Sequence, residues 1–517
     1  MEHEILLVMA GVAVVGVLAQ WLSWYVGVPA IVVLLAAGAF AGPVIGFINP
    51  GELLGDVMRP AIGLAVAIIV FEGGLNLDFR ELRLAGSGVA RLIIFALPLN
   101  WLLGAVAGHY IAGLSWPVAV LLGAILTVTG PTVIMPLLRQ AKLNPRTAAY
   151  LKWEGIVNDP IGATLTLLVL SYLLTSTRVA DEGAVASQLA LRAAVGCLIA
   201  TALGTGMAYF LRFSFHRDLA PEFLKTPILI ASALGIYAAG ELIQPETGLV
   251  GATLFGIVLA NIGVVGLQEL RRFHEALTVF IVSGLFILLT ASIEPKILRD
   301  LSWSIALTTS AILFVVRPLA IFLATIGSAM NLRERLLVGW IGPRGVVAAA
   351  VAGIAGTQLA QAGFEDARLI LPLVFSVIAA TVILHGFTLG PLARRMGLAS
   401  SARPGLLIVG ATPWTIRLAQ ALLKLDVPVI LSDRSPEALA PAREAGVRVF
   451  RGEVLSPTGE EEMDLQDVAY LLAATDDDAY NALVSSRFTS ELGRERVHQL
   501  APNQVGGPDA CLMIFPS

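Results

Sequence analysis

Charge is scarce in this chain. Asp, Glu, Lys and Arg make up 14% of its 517 residues against 56% apolar, with a mean hydropathy of +0.81. A soluble domain has roughly 25% charged and about 45–50% apolar residues, so a wholly water-soluble globule is excluded. The 34 basic and 38 acidic side chains leave a formal net charge of −4. Without a long basic tract, no nucleic-acid partner is expected. Cysteine is nearly absent: Cys197 lies in an apolar run and Cys511 near the end, which rules out a disulfide framework or a cysteine metal cluster. The opening stretch, MEHEILLVMAGVAVVGVLAQWLSWYV, also lacks the basic flank and small-residue cleavage site of a secretion leader, so it is expected to remain as a first helix.

Long apolar runs are what the chain has instead. Runs of about 20 residues, enough to cross about 30 Å of hydrocarbon, recur as far as residue 395. Helices are expected near 5–25, 29–48, 57–75, 90–112, 116–138, 150–174, 188–211, 226–243, 248–264, 274–291, 303–328, 335–356 and 368–392, thirteen in all by length and periodicity. Residues 1–395 then form a multi-pass α-helical membrane domain, 396–404 a linker, 405–500 a cytoplasmic α/β Rossmann-like domain and 501–517 an irregular tail. Basic residues collect in alternate loops, at Arg80 and Arg83, Arg139 to Arg146, Arg212 to Lys225, Arg271 and Arg272, Arg333 and Arg335, and Arg394 to Arg403. Between them AGLSWP is uncharged and ELIQPE acidic. The positive-inside rule therefore places the N-terminus outside the cell membrane and the C-terminal domain in the cytoplasm.

Two of these runs are interrupted near their middles, one by Gly130-Pro131 in LTVTGPTVIMPLL and the other by Gly342-Pro343 in VGWIGPRGVVAAA. Proline removes a backbone donor and glycine weakens a helical turn. Matching breaks in two halves of a membrane chain point to inverted repeats whose two broken helices cross at a midplane transport site.

An ionised side chain in the middle of a membrane helix costs about 2.5–3.5 kcal/mol or more, so such residues have a partner or a function. Glu72, Glu154, Asp159 and Arg344 are the four. At about 100° per residue, Glu154 and Asn158 share a face while Asp159 points roughly 140° from Glu154, so the two carboxylates are expected to do different jobs. Arg344, beside the second break, keeps its charge and needs a carboxylate. Glu154 is assigned as that partner with Asn158 close by, which leaves Asp159 to titrate. A carboxylate in a water-accessible cavity holds a proton or a small cation, each excluding the other, and this competition is an exchange mechanism. Oxygens of Asp159, Thr129 and backbone carbonyls freed by Pro131 suit Na+ or Li+. Glu72 is either an interfacial charge or a neighbour of the ion path. Arg317 is expected to be paired or to snorkel, and His274 and His385 are read as ordinary helix-end residues.

The motifs FEGGL, TGPTVIMPLL, EGIVNDPIG, VRPLA, GPRGVVA and TLGPLARRMGL together resemble the cation/proton antiporter superfamily, in its electroneutral NhaP/NHE-type sodium/proton exchanger branch, over about residues 5–395. The resemblance implies a dimeric, thirteen-helix antiporter with elevator-like alternating access. By it, Asp159 carries cation and proton, Asn158, Thr129 and Glu72 attend the ion, and Glu154 and Arg344 form a stabilising pair. Many members of the branch have Thr-Asp-Pro where this chain has Thr129-Gly130-Pro131, and some carry serine where it has Gly155. A K+/H+ antiporter regulated by nucleotide is the alternative, and a ligand-gated channel a weaker one, since no T-V-G-Y-G filter is present. No enzyme is expected.

Beyond Arg403, the runs GLLIVG, VPVILSD, VRVFRGEV, VAYLLAATDDD and RVHQLAP alternate with helical segments, the pattern of a doubly wound parallel sheet. Gly410 ends the first strand and Asp433 the second, the positions that face a nucleotide's phosphates and ribose. This part resembles the nucleotide-binding half of the TrkA/RCK regulatory domain. No cofactor is required for exchange; the domain either senses a regulatory nucleotide, AMP or NAD(H), at Gly410 and Asp433, or serves dimerisation with no dinucleotide bound. Thr412 and Thr415 replace the other glycines of the phosphate-binding turn.

Overall fold

The computed structural model describes residues 2–46, 50, 55–176, 182–245, 247–264, 267–292, 302–399, 405–456, 468–500 and 514–516. It divides into two compact units, Met1–Ser400 and Ser401–Ser517. Residues 401–404 of the expected linker and 501–513 of the expected tail lie outside the described residues.

Every element of the first unit among the described residues is a helix. Its elements are α1 (Glu2–Val26), α2 (Ala30–Val44), α3 (Met58–Leu75), α4 (Phe79–Ala85), α5 (Ser87–Tyr110), α6 (Trp116–Ile125), α7 (Pro131–Ala141) and α8 (Pro145–Ser176). There follow α9 (Glu182–His216), α10 (Glu222–Ile243), α11 (Thr247–Asn261), α12 (Leu267–Ala291), α13 (Trp303–Ala324), α14 (Leu332–Trp340), α15 (Val346–Gln361) and α16 (Glu365–Met396). Seven of these helices are long and apolar enough to cross a membrane, and six shorter apolar helices fall in the remaining expected windows.

The expected helices at 116–138 and 335–356 are each two pieces. Backbone leaves the helix at Leu126–Gly130 between α6 and α7, and at Ile341–Gly345 between α14 and α15. Each second half starts where helix chemistry allows, α7 with Pro131 in its first turn, where the missing N–H has no helical acceptor in any case. A further correspondence links the halves. The helix before each broken pair widens into a π turn just ahead of a proline, at Leu92–Ala96 before Pro98 and at Ile312–Val316 before Pro318. These two helices, α5 and α13, pack against each other.

The second unit holds β1 (Gly405–Val409), α17 (Pro413–Lys424), β2 (Val429–Asp433), α18 (Pro436–Glu444), β3 (Arg448–Arg451), β4 (Val468–Ala473), α19 (Asp478–Leu492), β5 (Val497–Leu500) and β6 (Ile514–Pro516). Its sheet order is β3-β2-β1-β4-β5-β6. All pairings are parallel except that of β6, which lies antiparallel to β5. The last three described residues are therefore an edge strand, where an irregular tail was expected. Alternation along β1 sends Leu407 and Val409 to one face and Ile408 to the other, so both faces are covered by helices, as a parallel sheet requires.

Candidate functional site

The two breaks meet backbone to backbone. A Cβ placed on Gly345 would stand 3.1 Å from the Cα of Gly130, and one on Gly130 would stand 3.4 Å from the Cα of Gly345. At Gly345 a side chain would press on the Gly130 backbone, whereas at Gly130 it would fill the space beside the Thr132 hydroxyl. Gly345→Ala is expected to cost about 1–3 kcal/mol by overpacking, read as a lower melting temperature of the detergent-purified protein.

At this crossing the N-terminal ends of α7 and α15 converge, and their dipoles favour a negative charge. Asp159 of α8 supplies one. It is 1% exposed, and its Oδ1 lies 3.8 Å from the point that a Cβ on Gly130 would occupy. Thr132 Oγ1 borders the same point, at 3.1 Å. Thr132 is buried, as are Thr129 on the same break as Gly130 and Asn158 next to Asp159 in the chain, and Thr129 Oγ1, Thr132 Oγ1 and Asn158 Oδ1 have no hydrogen-bond partner among the described residues. Buried polar atoms are rarely left so. An orphaned hydroxyl oxygen beside a buried carboxylate suits a dehydrated alkali cation, for which both are hard donors.

The structure corrects the assignment of the ion pair. The partner of Glu154 is Arg317 rather than Arg344: Arg317 Nη1 donates to Glu154 Oε1 at 2.5 Å and Nη2 to Oε2 at 2.8 Å. This bidentate pair is buried on both sides. Arg317 Nη2 also donates to the carbonyls of Ile341 at 2.9 Å and Val338 at 3.3 Å. It thus caps the C-terminal end of α14, where the dipole favours a cation. Gly342 makes this possible, because a Cβ there would lie 2.8 Å from Arg317 Nε.

Arg344, also buried, reaches across to the other break instead, with Nη1 3.5 Å from the carbonyl of Val128, and its backbone N–H is 3.4 Å from Thr381 Oγ1. The tertiary path decides this: Arg317 enters from α13 directly over Glu154, whereas Arg344 sits one residue before the crossing glycine and is aimed at the carbonyl end of α6. Asn158, expected beside the ion pair, has no hydrogen bond to either of its members. Thr129 faces that pair, bordering a small void with Glu154, Arg317 and Ile341 to Pro343.

Glu72 is buried in α3 and lines a cavity of about 490 Å³ whose walls include Ser23, Asn76, Pro131, Thr132 and Thr278. The structure therefore brings Glu72 to a space that touches the start of α7, as a neighbour of the crossing rather than a surface charge. Thr132, which the sequence reading passed over, stands between cavity and crossing. Its signal in the sequence was a second hydroxyl three residues after Thr129, in a segment otherwise apolar.

A family profile described as sodium/hydrogen exchanger, transmembrane, matches residues 6–395. This chain belongs to the sodium/hydrogen exchanger family. The exchanger is accordingly a cation/proton antiporter of multi-pass membrane type, and not an enzyme. A K(+)/H(+) antiporter NhaP2 of Shewanella sp. (strain ANA-3) is 27% identical over 398 residues, 76% of this chain and 67% of that protein. A protein named probable Na(+)/H(+) antiporter 2, of Methanocaldococcus jannaschii, is 24% identical over 398 residues, 71% of this chain and 91% of its own. The solved structure of the sodium proton antiporter MjNhaP1 from the same organism, at pH 8, superimposes with a TM-score of 0.66. The two share 24% identity over 77% of the exchanger and all of that chain, which establishes the fold.

A second profile, the TrkA-N domain, matches residues 406–503 of the exchanger, and the domain type raises the question of a bound nucleotide. The residues present do not fit one. In the turn after β1, Ala411 N–H donates to Asp433 Oδ2 at 2.7 Å, Thr412 N–H to Thr415 Oγ1 at 2.8 Å and Thr415 N–H to Thr412 Oγ1 at 3.2 Å, while Pro413 has no N–H. Of the donors that would cradle a phosphate, those of Ala411, Thr412 and Thr415 are taken by the chain itself and Pro413 offers none.

Asp433 is likewise engaged, its Oδ1 accepting from Ser435 N–H at 2.9 Å. Gly410 has φ +110°, and a Cβ there would meet the Ala474 carbonyl at 2.5 Å, so its role in this chain is the turn itself. Beyond Asp433, Arg434 pairs with Glu453 and stacks over the Tyr480 ring, whose hydroxyl donates to Glu453. Burial and this hydrogen bond push the Tyr480 phenol up to about 12.

Proposed function

We propose that this antiporter exchanges one monovalent cation for one proton at Asp159, the two competing for the same carboxylate. The observation that carries this reading is the burial of Asp159 at the crossing of the breaks, where the Thr132 hydroxyl, without a hydrogen-bond partner among the described residues, borders the same space. Emptied of cation, the site is neutralised by a proton; loaded, it releases the proton and the oxygens complete the cation's shell. Net charge at the crossing is then the same in both loaded states, which makes the cycle electroneutral. Arg317 and Glu154 hold α8, α13 and α14 together through the cycle, and Glu72 lies along the route of the ion.

Alternating access is supported by a second cavity of about 910 Å³, lined by Met58, Pro60, Tyr237, Val347 and Phe375. It lies at the N-terminal end of α3, whereas the Glu72 cavity lies at the C-terminal end. Sliding of the α6 to α8 and α14 to α16 assembly past α3 would open these in turn, as an elevator. In this reading the chain works in the cell membrane as a homodimer, with its N-terminus outside and its C-terminal domain in the cytoplasm, an orientation that the alternating basic loops support. Na+ or Li+ is the favoured cation on the hardness of the donor oxygens; K+ is the second reading, favoured by the names of the Shewanella relatives.

The test is dissipation of an imposed pH gradient in proteoliposomes with Na+, Li+ and K+ added separately, with and without an imposed membrane potential. One or more cations should collapse the gradient at a rate that ignores the potential. A rate that follows the potential would remove one-for-one exchange. The cytoplasmic domain takes part in this cycle without a nucleotide: AMP, NAD+ or NADH added to the purified protein is expected to leave its melting temperature unchanged, since a ligand bound only to the folded state would raise it.

A further inference from the structure

We propose that Thr132 supplies a cation-coordinating hydroxyl, and that it tunes cation affinity in this chain. The proposal rests on the reading of Asp159 as the exchange site. Thr132 is 4% exposed, and its Oγ1 has no hydrogen-bond partner among the described residues. A threonine in the first turn of a helix usually satisfies its hydroxyl locally, and the neighbouring Thr127 does so on the Ala124 carbonyl at 2.7 Å. Thr132 does not.

Its hydroxyl is instead turned to the crossing. The point that a Cβ on Gly130 would fill lies 3.1 Å from Thr132 Oγ1 and 3.8 Å from Asp159 Oδ1, and a Cβ on Gly345 would be 3.3 Å from Thr132 Oγ1. Gly130, by having no side chain, keeps open the space that these two oxygens border. Thr132 also lines the Glu72 cavity, so it is the oxygen an ion meets between that cavity and Asp159. A hydroxyl oxygen is a hard, neutral donor. It adds affinity for the cation and none for the competing proton, and so biases the competition at Asp159 without changing the charge balance.

The experiment compares wild type, Thr132→Val, Thr132→Ser and Asp159→Asn in proteoliposomes, at a pH where wild-type exchange is fastest, with the cation that wild type uses best. Losing a hydroxyl that bonds a charged group should raise the apparent KM of Thr132→Val about tenfold with kcat nearly unchanged. Thr132→Ser should restore it. Cation-induced thermal stabilisation of the purified protein should shrink in Thr132→Val and persist in Thr132→Ser, a readout independent of transport. If Thr132→Val keeps the wild-type KM while Asp159→Asn is inactive, the inference fails and the reading of Asp159 stands. If Thr132→Val loses kcat at constant KM, or Thr132→Ser is as impaired as Thr132→Val, the residue packs rather than coordinates. If Asp159→Asn transports like wild type, the reading underneath is wrong.

Discussion

Arg317→Ala should be the most damaging single change to the fold of the membrane unit, at about 3–5 kcal/mol, because it leaves Glu154 charged and buried without its partner. Two further bonds fall with it, those to the Ile341 and Val338 carbonyls, so the carbonyl end of α14 loses its cap and the second break loses its anchor. Arg344→Ala should cost less, since among the described residues the one side-chain hydrogen bond of Arg344 is the 3.5 Å approach to the Val128 carbonyl. The double variant Glu154→Leu with Arg317→Leu should recover much of the loss, because removing both charges also removes both desolvation costs. Melting temperatures of the four purified proteins check this order. Equal stability of Arg317→Ala and wild type, with collapse of Arg344→Ala, would return the ion pair to Arg344.

Asp159→Asn should abolish exchange for every cation, reducing gradient dissipation to that of protein-free vesicles, while the protein stays folded. The amide is nearly isosteric with the carboxylate, so packing at the crossing survives. It neither carries the charge that holds a cation nor takes up the proton that replaces it. Its melting temperature should match or exceed that of wild type, since a buried charge is expensive to keep. Added cation should stabilise wild type and leave Asp159→Asn unmoved, by the same linkage that governs any ligand of the folded state.

Much of this arrangement could be read from the chain. A carboxylate amid an apolar helix at Asp159, and Gly-Pro pairs in two distant runs, are local signals, because the cost of a charge in hydrocarbon and of a missing N–H does not depend on what lies nearby. The tail's strand and helix alternation was legible for the same reason, as were the threonines that replace glycines in its first turn. What escaped was set by tertiary contact. Arg317 and Arg344 both stand next to a proline or glycine in an apolar run, and nothing in their spacing says which one faces α8. The π turn at Ile312–Val316 and the close approach at Gly342 decide it. The Thr132 hydroxyl gave only a faint sign, since threonines in membrane helices usually bond their own backbone. The edge strand at Ile514–Pro516 was missed because three residues carry no period.

The central claim is that cation and proton compete for one carboxylate, and the pH dependence of the apparent cation KM tests it most directly. In proteoliposomes of wild-type protein, KM should rise about tenfold per pH unit on the acid side, as a single proton displaces the ion, while the maximal rate reached at saturating cation stays constant. A KM that is independent of pH, with only the maximal rate falling in acid, would mean that proton and cation bind at separate places and that Asp159 is not the shared site.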